Sequence, residues 1–94
     1  MTEYQYYRKG QSLLLRIVRQ RRWLINHQLS QLPRDFTTRE LKRMDYAIGR
    51  ITNGNQMKEY LTTKSDSLTI LISAVNHKFK NELEILTKIN LNNL

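Results

Sequence analysis

Residues 65–91 read SDSLTILISAVNHKFKNELEILTKINL, with apolar residues spaced in alternating steps of four and three. The spaced positions are Leu68, Ile72, Val75, Phe79, Leu86 and Ile89, and Leu71 and Leu83 widen the stripe. This spacing puts one apolar stripe along one side of an α-helix, which needs a partner helix to cover it. Ser65 and Asp66 are good N-cap residues. We therefore predict a helix over about 66–91, with a frayed tail over about 90–94.

Helix start and stop signals divide the rest of the chain. Residues 2–5 (TEYQ) and 37–40 (TTRE) match the capping box, in which two side chains satisfy free backbone N–H groups at a helix start. Pro33 ends the first helix, and residues 53–55 (NGN) form a turn signal. The predicted helices therefore cover about 2–32, 37–53, 56–62 and 66–91. The second of them carries an apolar stripe at spacings of three and four, formed by Leu41, Met44, Ile48 and Ile51.

The fold class follows from these helices and from the absence of a strand pattern. No stretch alternates polar and apolar residues over a strand's length, and 94 residues fit a single helical domain over 1–94. We predict an all-α fold, a small antiparallel helical bundle of three to four helices. Four helices make the first and last antiparallel, whereas three make them parallel. A second copy of the chain is the alternative partner for the last helix and would give a homodimer.

Two charged residues interrupt the apolar stripes. Glu82 occupies one core position of the last helix, and Arg21 occupies one of the first. The neighbours of Arg21 on that face are Leu14, Ile17, Val18 and Ile25. A buried guanidinium is costly unless it is paired, and the antiparallel register that joins Leu14 to Ile89 also joins Arg21 to Glu82. We predict a structural ion pair between Arg21 and Glu82. The alternative is that Arg21 extends to solvent along an incompletely covered helix.

The positive charge is concentrated in the first half of the chain. All nine arginines lie between Arg8 and Arg50, and residues 1–54 hold +7 of the net charge of +8. Arginine binds phosphates and carboxylates through a planar fork and stacks on flat rings, so this surface indicates a polyanionic partner. The predicted contact residues are Arg16, Arg19, Arg22 and Trp23 on the first helix, and Arg39, Lys42, Arg43, Tyr46 and Arg50 on the second.

No motif in the chain identifies a reaction. Cysteine is absent, the glycines stand alone, and His27 and His77 lack carboxylates at metal-ligand spacing. We therefore predict a protein that is not an enzyme and that has no cofactor and no metal. No apolar run is long enough to span a membrane, and no secretory signal is visible, which favours a cytoplasmic location.

The predicted function is a small basic nucleic-acid-binding or regulatory protein that grips phosphates with its arginines. The residues do not distinguish DNA from RNA. The alternative is a protein-binding modulator or inhibitor that docks the same arginine surface on an acidic partner protein. Attachment of the first helix to an anionic membrane is disfavoured, because its apolar face is needed for the core.

Overall fold

The computed structural model describes residues 1–27, 36–73 and 77–94, and all secondary structure within these ranges is helical. The α-helices are α1 (Glu3–Asn26), α2 (Thr38–Gly49), α3 (Gly54–Thr63), α4 (Ser65–Ser73) and α5 (His77–Lys88), and a 3-10 helix covers Leu91–Asn93. The all-α prediction is confirmed. The described ranges hold five α-helices, however, where three to four were predicted.

The capping boxes begin α1 and α2 as predicted. The Thr2 hydroxyl accepts the Gln5 amide at 3.1 Å, and the Gln5 side chain accepts the Thr2 amide at 2.9 Å. At α2 the Thr37 hydroxyl accepts the Glu40 amide at 3.1 Å, and Glu40 accepts the Thr37 amide at 3.4 Å. Both helix starts are therefore determined by residues that are close in sequence.

Three predicted boundaries differ in the structure. α1 ends at Asn26 with His27 as its C-cap, and the predicted end near residue 32 lies outside the described residues. α2 ends at Gly49, before the predicted 53. α3 begins at Gly54 rather than 56, because the Asn53 side chain accepts the Gln56 amide at 2.9 Å. Asn53 therefore caps the next helix rather than only marking the turn before it.

The predicted helix over 66–91 is present as two helices, α4 and α5, and residues 74–76 between them lie outside the described ranges. α4 contacts α1 and α3, and α5 contacts α1, α3 and α4. The apolar stripe therefore contributes to the core through both described helices, which contact each other. The described helix ends at Lys88, before the predicted end at about 91, and the predicted continuity across residues 74–76 lies outside the described residues.

The core is made by the predicted apolar stripes together with residues outside them, such as Tyr6 and Leu13 of α1. Its buried members are Tyr6, Leu13, Leu14, Ile17, Val18, Ile25, Leu41, Met44, Ile48, Ile51, Met57, Leu61, Leu68, Leu71, Ile72, Phe79, Leu83 and Leu86. Ile89 is partly buried, and Val75 lies outside the described residues. Arg21 is only 1% exposed, so its side chain lies inside the fold and not at the surface.

α1 is the central helix, because it contacts each of the other four α-helices. Gly10 permits a close approach of α3, since a Cβ atom there would lie 2.7 Å from the sulfur of Met57. On the side of α2, the buried Gln11 side chain donates to the carbonyl oxygens of Ile48 and Ile51 at 3.0 and 3.1 Å. These contacts fix α1 against the end of α2 and against α3.

α5 runs antiparallel to α1, but in a register different from the predicted one. The Glu82 carboxylate lies 3.3 Å from the Arg16 guanidinium instead of Arg21, and the Phe79 ring lies 5.8 Å from the same guanidinium. One turn further along α5, Leu86 lines a groove together with Leu13 of α1. The register is therefore shifted by about five residues from the predicted one, which amounts to more than one helical turn.

Candidate nucleic-acid interface

Arg19 and Arg22 on α1 share one carboxylate of α2. Arg19 donates to Asp45 from Nε at 3.1 Å and from Nη2 at 3.4 Å, and Arg22 donates from Nη1 at 3.3 Å. The hydrogen bonds and charge of Asp45 raise the pKa of the Arg19 guanidinium. Two guanidinium groups against one carboxylate leave one positive charge uncompensated at this point of the surface. The Arg19 side chain stays mostly exposed, so it can still contact an anion.

Arg16 lies on the side of α1 that faces α5. Its guanidinium pairs with Glu82 and lies near the face of the Phe79 ring. Half of the Arg16 side chain remains exposed. All three of the predicted contact arginines on α1 are therefore paired with carboxylates in the structure, and their charge is partly neutralised within the protein.

The exposed cations of α2 have no such partners. Its outer side carries Arg39, Lys42, Arg43, Tyr46 and Arg50, all exposed, and this set is called the α2 surface below. At 100° per residue these five positions fall within an arc of about 100°. Among the described residues, none of the four cations forms an ion pair with a carboxylate. The nearby acid Glu40 is hydrogen-bonded to Thr37 at the start of α2.

One aromatic ring belongs to the α2 surface. Arg50 donates to the Tyr46 hydroxyl at 2.8 Å, and its guanidinium carbon lies 5.5 Å from the centre of the Tyr46 ring. The two side chains, one turn apart on the helix, hold each other in place. The α2 surface thus combines four uncompensated charges with a flat ring, which suits phosphates flanked by bases.

A second flat surface lies at the end of α1. The Trp23 and His27 rings are 4.2 Å apart between centres and inclined by 24°, so they are stacked. His27 Nδ1 lies 2.8 Å from the Trp23 carbonyl oxygen, which fixes the imidazole ring against the helix end. Trp23 is 51% exposed, so a large part of the indole remains open to solvent.

Arg8 and Asp45 belong to this region but were missed as site residues from the sequence. Arg8 lines a groove of about 530 Å³ on the outer side of α1 together with Arg16 and Arg19. Its helical phase relative to Arg19 could have shown this, because residues eleven apart on a helix lie on the same side. Asp45 occupies the edge of the α2 stripe, four residues after Leu41, but only the packing of the two helices shows that it faces Arg19.

The described residues contain no group of three His, Cys, Asp or Glu side chains that could hold a metal ion. Within the same residues, no helix combines the length and apolar character needed to cross a lipid bilayer. In comparisons with known proteins, no protein family, no curated sequence and no solved structure matches this chain. The chemistry of the surface is therefore the basis on which its function is inferred.

Proposed function

We propose that this chain is a small, basic, non-enzymatic protein that binds nucleic acid through the α2 surface. The observation that carries the proposal is the set of four exposed cations on one side of α2, none of them ion-paired with a carboxylate among the described residues. A cation that is already paired binds a phosphate more weakly, because the partner carboxylate neutralises part of its charge. Cations without a carboxylate partner release only counterions, which makes phosphate binding favourable at low salt.

The arginines of α1 extend this interface toward the first helix. Arg19 and Arg22 contact Asp45, the residue next to Tyr46, so the α1 arginines border the α2 surface. The Asp45 carboxylate also orients these two side chains, which reduces the conformational entropy lost on binding an anion. We infer that α2 provides most of the phosphate affinity and that α1 provides a smaller, oriented contribution. The absence of cysteine fits a reducing compartment such as the cytoplasm.

The test compares two triple variants with the same net charge. The first is Arg39→Gln with Lys42→Gln and Arg43→Gln on the α2 surface. The control, Lys64→Gln with Lys80→Gln and Lys88→Gln, removes three exposed lysines elsewhere. Binding of a labelled duplex and a labelled single strand is measured by fluorescence anisotropy at several salt concentrations.

The α2 variant is expected to bind at least about tenfold more weakly at low salt, and its slope of log affinity against log salt should fall by about 2 to 3. At about 0.1 M salt the control should stay within about threefold of the unaltered protein, because charges more than a Debye length of about 10 Å from the ligand are largely screened. Equal losses in the two variants would show that total charge, and not the α2 surface, determines binding. Circular dichroism of both variants confirms that they are folded.

A second candidate function is the modulation of an acidic partner protein, and a groove between α1 and α5 favours it. The groove holds about 620 Å³ and is lined by Leu13, Ile85 and Leu86 beside Arg8 and Arg16. Ile85 is 63% exposed, which is unusual for a large apolar side chain. Such a groove suits an amphipathic helix that carries acidic flanks. If this candidate function is correct, a protein captured by this chain in a pull-down should stay bound after nuclease treatment. The variant Ile85→Glu should no longer capture it.

A further inference from the structure

We propose that the stacked pair of Trp23 and His27 is a platform for an unpaired nucleobase, so that the ligand of this protein is a single-stranded nucleic acid. The proposal rests on the function proposed above and names its ligand class. Its basis is an exposed, stacked aromatic pair that begins one helical turn beyond Arg19, which lines a groove of α1 together with Arg8 and Arg16.

The pair is preorganised to accept a third ring. The rings stack at 4.2 Å, and the contact of His27 Nδ1 with the Trp23 carbonyl oxygen at 2.8 Å fixes the imidazole. Because both rings are already ordered, stacking of a base costs little side-chain entropy. The Trp23 residue is 51% exposed, so its side chain is not packed into the core. Base stacking on such a ring is favourable and tolerates any base.

The surroundings of the platform are suited to a strand backbone. Arg16 and Arg19 lie seven and four residues before Trp23 on the same side of α1, and both are more than half exposed. With Arg8 they line the groove of about 530 Å³. The axial distance from Arg8 to Trp23 is about 22 Å at 1.5 Å per residue. A single strand of several nucleotides can therefore place phosphates along the arginines and one base on the indole.

This arrangement discriminates against a duplex. Bases in a duplex are stacked on their neighbours and paired, and opening them costs free energy, whereas the bases of a single strand offer free faces. The α2 surface binds the phosphates of either form, but the platform adds affinity only for the single strand. Preference for single strands should therefore depend on Trp23, and general affinity should depend on the α2 surface.

The test uses the fact that Trp23 is the only tryptophan in the chain. The probes are a 20-nucleotide deoxyuridine strand, a 20-nucleotide uridine strand and a 20-base-pair duplex, each added at low salt while tryptophan emission is followed. We expect the single strands to quench the emission and to bind about tenfold more tightly than the duplex. The duplex should bind without comparable quenching. The tighter of the two single strands identifies the preferred sugar.

The variant Trp23→Ala should bring single-strand affinity down to that of the duplex and leave duplex affinity within about twofold. The control Tyr4→Ala removes an exposed ring from the first turn of α1 and should preserve the preference. The quenching measurement uses the unaltered protein, so it tests the platform even if the Trp23→Ala protein does not fold. If single strand and duplex bind equally and the tryptophan emission does not change, the platform is contradicted, whereas the proposed function is not. Failure of all three probes to bind overturns both the platform and the proposed function.

Discussion

Gln11 offers the sharpest test of how the helices are joined. Its Nε2 donates to the carbonyl oxygens of Ile48 at 3.0 Å and Ile51 at 3.1 Å, and the residue is 8% exposed. The substitution Gln11→Leu keeps the approximate size of the side chain and removes the donor. The Ile48 carbonyl still accepts the Ile51 amide at 3.2 Å. The larger loss therefore falls on the Ile51 carbonyl, which becomes a buried acceptor without its Gln11 donor.

The expected loss in the free energy of unfolding follows from these two carbonyl groups. Leaving a buried acceptor unsatisfied costs about 1–3 kcal/mol, and the added apolar surface of leucine recovers up to about 1 kcal/mol. We expect Gln11→Leu to lower the free energy of unfolding by about 1–2 kcal/mol. Gln11→Glu also removes the donor, but its carboxylate keeps an acceptor for the Arg8 guanidinium, which donates to Gln11 Oε1 at 3.1 Å. Leucine is therefore the cleaner test of the amide donor.

The assay is urea unfolding followed by far-UV circular dichroism, with free energies extrapolated to water. Gln20→Leu is the matched control, because Gln20 lies on the same helix and has no hydrogen-bonded side chain in the part of the chain that the structure describes. The control should change the free energy of unfolding by less than about 0.5 kcal/mol. A Gln11→Leu protein as stable as the control would refute the assigned role of the amide donor.

Three further predictions concern packing, charge and pH. Gly10→Ala should lower the free energy of unfolding by about 1–3 kcal/mol, because its Cβ atom meets buried Met57, whereas Gly49→Ala, with no atom within 4 Å, should raise it by up to about 1 kcal/mol in the same urea assay. Asp45→Asn raises the net charge from +8 to +9 and releases two arginines. It should tighten nucleic-acid binding in anisotropy titrations by about two- to fivefold and change stability by less than about 1 kcal/mol, and weaker binding would contradict it. Burial raises the pKa of Tyr60 from 10.0 to about 12, so the folded state holds this proton more tightly than the unfolded state. Stability should therefore be unaffected by Tyr60 below pH 10 and fall as the pH rises from 10 to 12, and Tyr60→Phe should reduce that fall in pH-dependent unfolding experiments.

The features that the residues predicted correctly are local ones. The two capping boxes depend on side chains three residues apart, and the apolar stripe of α2 depends on spacings of three and four. Such patterns depend only on residues within one or two helical turns, so they are the same in any fold that contains the helix. The exposure of the α2 surface was predicted for the same reason, because it is the side of the helix opposite the stripe.

The features that the residues did not predict all join distant parts of the chain. Glu82 matched Arg21 in one antiparallel register, yet its carboxylate contacts Arg16 in another. A heptad-like stripe allows several registers that bury similar apolar area, so the pattern alone does not select one. The contact of Asp45 with both Arg19 and Arg22 was likewise missed, because it depends on the position of α2 along the axis of α1.

By itself, then, the sequence determined the helical class, the helix starts at Thr2 and Thr37, the apolar stripes and the concentration of arginine in the first half. Tertiary structure alone decided which arginines are neutralised, in which register α5 packs on α1, and how Gln11 joins α1 to α2. The physical reason is the range of the forces involved. Hydrogen bonds and side-chain spacing within a helix act over a few residues, whereas register and charge pairing are set by close packing between helices, where a shift of one turn exchanges every partner.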